Sequence, residues 1–218
     1  MPMRVISNTA VSLDGRINTR ENTPLGLGSA RDLQMMKSLR ARVDAVLVGG
    51  ATFRHWPFAS LPDPDVLAAR TAPFWNVVVT RSLDIRPNPS FFSAPGMRPL
   101  FLTTRHHTGA DLPAEIEVFD GDHVPVPWIL QVLQRRGVRT LMVEAGGDLL
   151  FQFLAADAID ELFVTLCPKV IGGRGAPSLA DGVGFGPAQI RNLTLLDSQV
   201  HDDELYLHYR VRKLPVGG

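Results

Sequence analysis

Cysteine is all but missing from this chain: Cys167 is the only one among 218 residues. That excludes an intrachain disulfide and any zinc site built on two thiolates, and it fits a reducing compartment. Within 162–168 it reads as a small buried side chain at a strand end rather than a nucleophile. Net charge is missing too, with 22 Lys+Arg against 22 Asp+Glu, so no overall field draws the chain to nucleic acid or an anionic membrane. No apolar run reaches the roughly 18 residues a membrane helix needs. The first residues lack the basic segment, apolar core and small-residue cleavage site of a leader. A soluble, cytoplasmic protein that binds neither nucleic acid nor membrane is therefore expected. The histidines are scattered, and the adjacent His106 and His107 cannot share one face of a helix or strand, so no metal site is expected.

What the chain does have is glycine where strands end. Leu141-Met142-Val143 is a short apolar strand, followed by Glu144-Ala145-Gly146-Gly147-Asp148-Leu149-Leu150 and a helical apolar pattern. Such a turn brings unhindered backbone N–H groups to a helix N-terminus, where a phosphate is favoured; a tight strand-to-helix turn needs glycine even without a ligand. A second segment repeats the arrangement: the apolar strand 44–48 runs into Gly49-Gly50-Ala51-Thr52. Two glycine pairs delivered to one rim suggest a dinucleotide lying across it, with Glu144 facing whatever shares the crevice.

With 45% hydrophobic residues and no linker or internal repeat, one domain over 1–218 is expected. Strands are expected at 4–11, 44–48, 74–79, 99–103, 115–119, 139–143 and 160–166. A helix capped by Ser29 runs to about Arg42, with Leu33, Met36 and Leu39 or Arg40 on one face, and a second covers 128–135. Residues 18–28 read as a loop around Pro24, Gly26 and Gly28. Residues 52–73, rich in aromatics and proline, read as a covering loop with a short helical piece near 65–70. Segments 190–197 and 199–212 alternate in polarity, as a closing hairpin does. The expected class is α/β, a three-layer sandwich with a mostly parallel central sheet and a C-terminal antiparallel hairpin.

Read together, Ser12-Leu13-Asp14-Gly15, the helix reaching Arg40, Val48-Gly49-Gly50-Ala51-Thr52, Val143-Glu144-Ala145-Gly146 and Asp160-Glu161-Leu162 with Pro168 and Gly172-Gly173 resemble the reductase domain of riboflavin biosynthesis, over nearly the full chain. The resemblance implies a dihydrofolate-reductase-like fold, a homodimer, NADPH as cofactor, and reduction of a ribosylaminopyrimidine 5′-phosphate to its ribitylamino form. The zinc deaminase often fused to that domain would need a thiolate pair this chain lacks.

Residue by residue, the resemblance places Gly49, Gly50, Ala51 and Thr52 on the cofactor, and Ala145, Gly146, Gly147, Asp148 and Leu149 at its diphosphate. Thr80, Arg81 and Ser82 fall where the adenosine ribose is held, and a guanidinium between two hydroxyls suits a 2′-phosphate; otherwise Arg81 is a solvated loop arginine. Glu144 matches a substrate-contacting glutamate, or else caps its turn. Arg40 matches a substrate-contacting arginine, or else complements a helix dipole. Ser12 is assigned to the substrate and Lys169 to its phosphate. Asp14 is assigned to the nicotinamide end, as an acceptor or proton source, or else belongs to an ordinary Asp-Gly turn; with Glu144 it makes up the catalytic pair.

Two departures from the family pattern stand out. Asp148 replaces a hydroxyl residue, and an acid beside a diphosphate repels it unless the side chain turns away to cap the helix. The acidic pair expected after Thr52 is replaced by Phe53-Arg54-His55-Trp56-Pro57-Phe58, an aromatic stretch suited to closing over a flat substrate. These departures keep two alternatives in play: an NADPH reductase of a pterin or another small carbonyl or imine, and a non-catalytic nucleotide-binding protein on the same scaffold.

Overall fold

The computed structural model describes residues 3–22, 25–86, 88–104 and 112–214; Pro24 and the Arg105-His106-His107 turn lie outside them. In chain order the elements begin with β1 (Arg4–Ser12), α1 (Ala30–Arg40), β2 (Ala45–Gly49), α2 (Gly50–His55), α3 (Pro64–Ala68) and β3 (Phe74–Val79). Next come β4 (Met97–Thr104), β5 (Glu115–Phe119), α4 (Val126–Arg135), β6 (Thr140–Val143) and α5 (Gly147–Ala155). The chain closes with β7 (Glu161–Cys167), β8 (Leu193–His201) and β9 (Glu204–Val211). Two compact units form, one from residues 1–3 and 34–144, the other from 4–33 and 145–218.

The first unit is built on parallel strands in the order β5-β4-β3-β2-β6. Strands β2 and β3 are nearly continuous apolar runs because side chains on both faces are buried. Register fixes what leaves the sheet together: Gly49 pairs with Val79, Leu47 pairs with Val143, and Glu144 N–H donates to the Leu47 carbonyl at 2.9 Å. The carboxyl ends of β2, β3 and β6 thus share one edge, which carries Gly49, Thr80 and Glu144.

Here α2 is a correction, since a covering loop was expected from residue 52. Phe53 explains it: the ring is fully buried, 4.9 Å from the Phe91 centroid and 6.1 Å from that of Phe101. One helical turn after Gly49 points it there, and aromatic packing outweighs the weak tendency of so short a segment to stay helical alone. The expected apolar face of α1 also needs correction. Leu39 is buried but Leu33 is exposed, because six residues at about 100° each place them on faces about 120° apart.

In the second unit β1 and β7 run parallel, β9 pairs antiparallel with β7, and β8 with β9. The hairpin reverses at Asp202-Asp203, not near residue 198 as expected. Asp202 adopts φ 51°, and a two-residue turn needs such a left-handed residue, which aspartate tolerates. Helix α5 buries Leu150, Phe153 and Leu154. At the end of β7, Cys167 is fully buried, its thiol directed at the Thr165 carbonyl; burial pushes its pKa up to about 11.

Candidate active site

In the first unit, Gly50 explains how the β2–α2 turn meets the end of β3. A Cβ at Gly50 would stand 2.6 Å from Thr80 Oγ1 and 2.8 Å from Thr80 Cβ, so only glycine lets the two segments come this close. The 80–82 turn is self-supporting: Thr80 Oγ1 donates to the Ser82 carbonyl (2.7 Å), and Thr104 Oγ1 donates to the Arg81 carbonyl (3.1 Å). Its hydroxyl is therefore engaged in shaping the turn. The Arg81 side chain is exposed and has no hydrogen-bond or ion-pair partner among the described residues. Arg54 folds over the same turn, its Nη1 3.4 Å from where the Gly50 Cβ would be.

Glu144 and Arg40, 104 residues apart in sequence, meet as a two-pronged pair. Arg40 Nε donates to Glu144 Oε1 and Arg40 Nη2 to Oε2, both at 2.7 Å, with the side chains only 11% and 12% exposed. Planar fork-to-fork pairing is the strong form of this interaction. The guanidinium also donates to the Leu61 carbonyl (3.2 Å) and touches Met36 Sδ (3.3 Å), while Ser60 Oγ donates to Glu144 Oε2 at 3.3 Å.

Ser60 escaped sequence reasoning. Its backbone is locked to the buried Asn76, whose Oδ1 accepts from Ser60 N–H (2.8 Å) and whose Nδ2 donates to the Ser60 carbonyl (3.1 Å). The available signal was Asn76 itself, an amide inside the apolar strand Phe74–Val79, since a buried amide requires partners.

In the second unit Asp14 is held by three donors: Ser12 Oγ (2.6 Å), Ile171 N–H (3.0 Å) and Gly172 N–H (2.7 Å). These bonds, led by Ser12, lower its pKa to about 2, because donors to a carboxylate favour its charged form. Asp14 therefore acts as an acceptor at neutral pH and has no proton to give. Ser12 is fully buried; besides donating to Asp14, its Oγ accepts from Arg16 N–H at 2.9 Å. Lys169 Nζ donates to the Leu27 and Gly26 carbonyls, and its own carbonyl accepts from Leu13 N–H at 2.8 Å. The 12–16 turn, the 25–27 loop and the 169–172 loop are thereby tied together.

A depressed folded pKa means that the contribution of Asp14 to stability is fully present above its unfolded value near 4. It is lost as pH falls through about 2. The expected result is a kcat/KM profile with no limb from Asp14 between pH 5 and 9, and an Asp14→Asn variant whose profile keeps the wild-type shape. An Asp14-dependent limb near neutrality would contradict the bonding described.

Helix α5 starts on Gly146, which caps it with φ −66° and ψ 166° and offers no side chain. Asp148 does not turn back to cap the helix: its side chain is exposed and makes no cap bond. Among the described residues the first N–H groups of α5 are thus left without a side-chain acceptor, as an anion site requires. Gly147 is packed tightly, since a Cβ there would collide with the Ser178 carbonyl and the Asp181 carboxylate.

Asp32, read from sequence only as a first-turn acid, joins a polar cluster. Burial raises its pKa, and Glu204 lies near. Glu204 accepts from Ser29 N–H (2.8 Å), Ser29 Oγ (2.6 Å) and the Tyr206 hydroxyl. Among the described residues no group of three His, Cys, Asp or Glu could hold a metal, and no helix is long and apolar enough to cross a membrane.

Mostly parallel α/β strands closed by an antiparallel hairpin define the dihydrofolate-reductase-like fold. The Enterococcus faecalis dihydrofolate reductase complexed with NADP(H) superposes at TM-score 0.51 and 17% identity over 96% of this chain and 97% of that one. A pyrimidine reductase-like protein from Corynebacterium diphtheriae superposes at TM-score 0.79 and 18% identity, covering 97% and 92%. Within that fold, the model of the RibD C-terminal domain matches residues 3–207. The chain belongs to that family. The 2,5-diamino-6-ribosylamino-4(3H)-pyrimidinone 5′-phosphate reductase of Archaeoglobus fulgidus is 30% identical over 191 residues, 83% of this chain and 87% of the relative.

Proposed function

We propose that this protein is an NADPH-dependent reductase that converts the ribosylamino group of a diaminopyrimidinone or aminouracil 5′-phosphate to a ribitylamino group. The observation that carries the reading is the Arg40–Glu144–Ser60 cluster at the same sheet edge as the Gly49-Gly50 and Thr80–Ser82 turns. Cofactor and polar substrate contacts would converge there. The Archaeoglobus relative names the same substrate class. The family match runs through residues of both units, which supports reading the chain as one reductase domain.

Gly49, Gly50, Ala51 and Thr52 would offer backbone and hydroxyl donors to the cofactor, and Arg81 with Ser82 the charge for a 2′-phosphate, on a turn that Thr80 shapes. Ala145, Gly146, Gly147, Asp148 and Leu149 would offer the α5 N–H groups to the diphosphate, with the Asp148 carboxylate in solvent. Glu144 would accept from the ring's amino and N–H groups, with Arg40 holding it in place. Ser12 and Asp14 would set the loop at the nicotinamide end. Lys169, with two of its three N–H donors spent on carbonyls, would have one for the substrate phosphate.

When bound, NADPH would supply a hydride to C1′ of the open-chain imine, with the C=N π electrons moving to nitrogen and the nitrogen taking its proton from water. Holding the two carbons about 3–3.5 Å apart lowers the barrier by roughly 7–11 kcal/mol, so positioning does most of the work. A homodimer is part of the same reading. It is supported by the outer strand β8, which exposes Leu193, Leu195, Leu196 and Val200 around a bulge at 195–197, an edge that invites pairing.

A second reading, reduction of a pterin-like ring, is favoured by the aromatic 53–58 segment in place of acids. NADPH oxidation measured side by side with the ribosylaminopyrimidine phosphate and with dihydrofolate separates the two. Turnover of the first alone is expected, and turnover of dihydrofolate alone would replace the proposal. In the same assay Arg81→Ala is expected to cut the preference for NADPH over NADH about 10- to 100-fold, the weight of a charge-assisted phosphate contact; an unchanged preference would remove Arg81 from the 2′-phosphate.

A further inference from the structure

Two aromatic rings stand out in water on the segment that leads to Ser60 and the Arg40–Glu144 pair. Trp56 is 60% exposed and Phe58 39%, with ring centroids 4.9 Å apart at 51°. Nearby Phe53, by contrast, is fully buried. Large rings left in solvent on an otherwise well-packed unit are a recognised mark of a binding face.

The backbone under them is fixed. Trp56 N–H donates to the Thr52 carbonyl (2.9 Å), Asn88 N–H donates to the Pro57 carbonyl (3.0 Å), and the pair of Ser60–Asn76 hydrogen bonds clamps the segment two residues beyond Phe58. Leu61, next along, gives its carbonyl to Arg40. The segment thus runs from Thr52, at the glycine turn, to Ser60, whose hydroxyl touches Glu144. Rings held out on a rigid support lose little entropy when a ligand arrives.

We propose that Trp56 and Phe58 form a stacking face for the planar heteroaromatic ring of the substrate, whose polar edge is read by Glu144 and Ser60. This rests on the reductase reading and names the groups that select its ring. A π-face stacks on any flat heterocycle, so the rings supply affinity and the carboxylate and hydroxyl supply orientation. The stretch 53–61 carries no carboxylate, so nothing in it repels an electron-rich oxo-pyrimidine from those rings.

Trp56→Ala and Phe58→Ala test this on the intact protein, with Trp56→Phe as the conservative variant. KM for the ribosylaminopyrimidine phosphate is expected to rise about 10- to 100-fold in Trp56→Ala, the weight of one base–aromatic stack. In the same variant kcat, NADPH Kd and melting temperature are expected to hold, and Trp56→Phe is expected to recover most of the loss. An unchanged KM overturns the proposal. So does a loss that falls on NADPH Kd, which would put the cofactor's adenine or nicotinamide on the rings.

Ring binding is also read without turnover. Of the three tryptophans, Trp75 is buried and Trp128 packs on Phe119; the free ring, 2,4,5-triamino-6-hydroxypyrimidine, is expected to quench fluorescence in wild type but not in Trp56→Phe. Quenching without any turnover leaves the stacking face standing and rejects the reductase reading. Turnover with a KM and fluorescence independent of Trp56 does the reverse.

Discussion

Glu144→Ala is expected to raise the KM for the ribosylaminopyrimidine phosphate at least about tenfold while leaving NADPH Kd within about twofold, because a hydrogen bond to a carboxylate carries about 1.5–3 kcal/mol. The same change strands the Arg40 guanidinium, nearly enclosed and now facing only the Leu61 carbonyl and Met36 sulfur. Removing one partner of such a pair costs about 3–5 kcal/mol of stability. Arg40→Ala is expected to cost a similar amount, and the double variant much less than the sum, with a coupling of about 1–3 kcal/mol in a denaturation cycle. Additive losses would mean that the two residues act separately. Equal losses of substrate and NADPH affinity would take Glu144 out of the substrate role.

Gly147→Ala is the second large effect. The new methyl collides with a backbone carbonyl at Ser178 and with the Asp181 carboxylate, and Asp181 itself accepts from Ser178 N–H (3.0 Å) and Ser178 Oγ (2.5 Å). Relief requires the 178–181 turn or the start of α5 to move. Overpacking of this kind costs about 1–3 kcal/mol. The N–H groups assigned to the diphosphate shift with the helix start, so NADPH affinity is expected to fall at least about tenfold, one lost charge-assisted contact. Calorimetric titration with NADPH reads the binding, and a melting curve reads the stability. A variant that binds NADPH as wild type does would remove this turn from the cofactor.

Much of this was legible in the chain because the cues were local. Strands β2, β3 and β6 announce themselves as apolar runs, and the glycines after β2 and β6 as tight turns, because both signals sit within a few residues. Glu144 and Arg40 were each visible as candidates, one at a strand end and one at a helix end. Their pairing was not, since nothing local links residues 104 positions apart. Helix α2 was hidden for a similar reason: Phe53 is recruited into a cluster with Phe91 and Phe101, which lie about 40 and 50 positions downstream. The hairpin turn was misplaced because alternating polarity continues through both strands and only the backbone angle of Asp202 marks where they part. Asp14 was found by its Asp-Gly pair, but its three donors come partly from residues 171 and 172, and it is those donors that settle its charge.

The lone thiol has a practical corollary. Sealed at the end of β7 and holding its proton to about pH 11, Cys167 is a poor target for maleimides at neutral pH, where only a thiolate reacts quickly. A cysteine engineered at any exposed position will therefore be the single site that takes a dye, and ligand arrival at the aromatic segment can be followed optically in an otherwise unaltered protein.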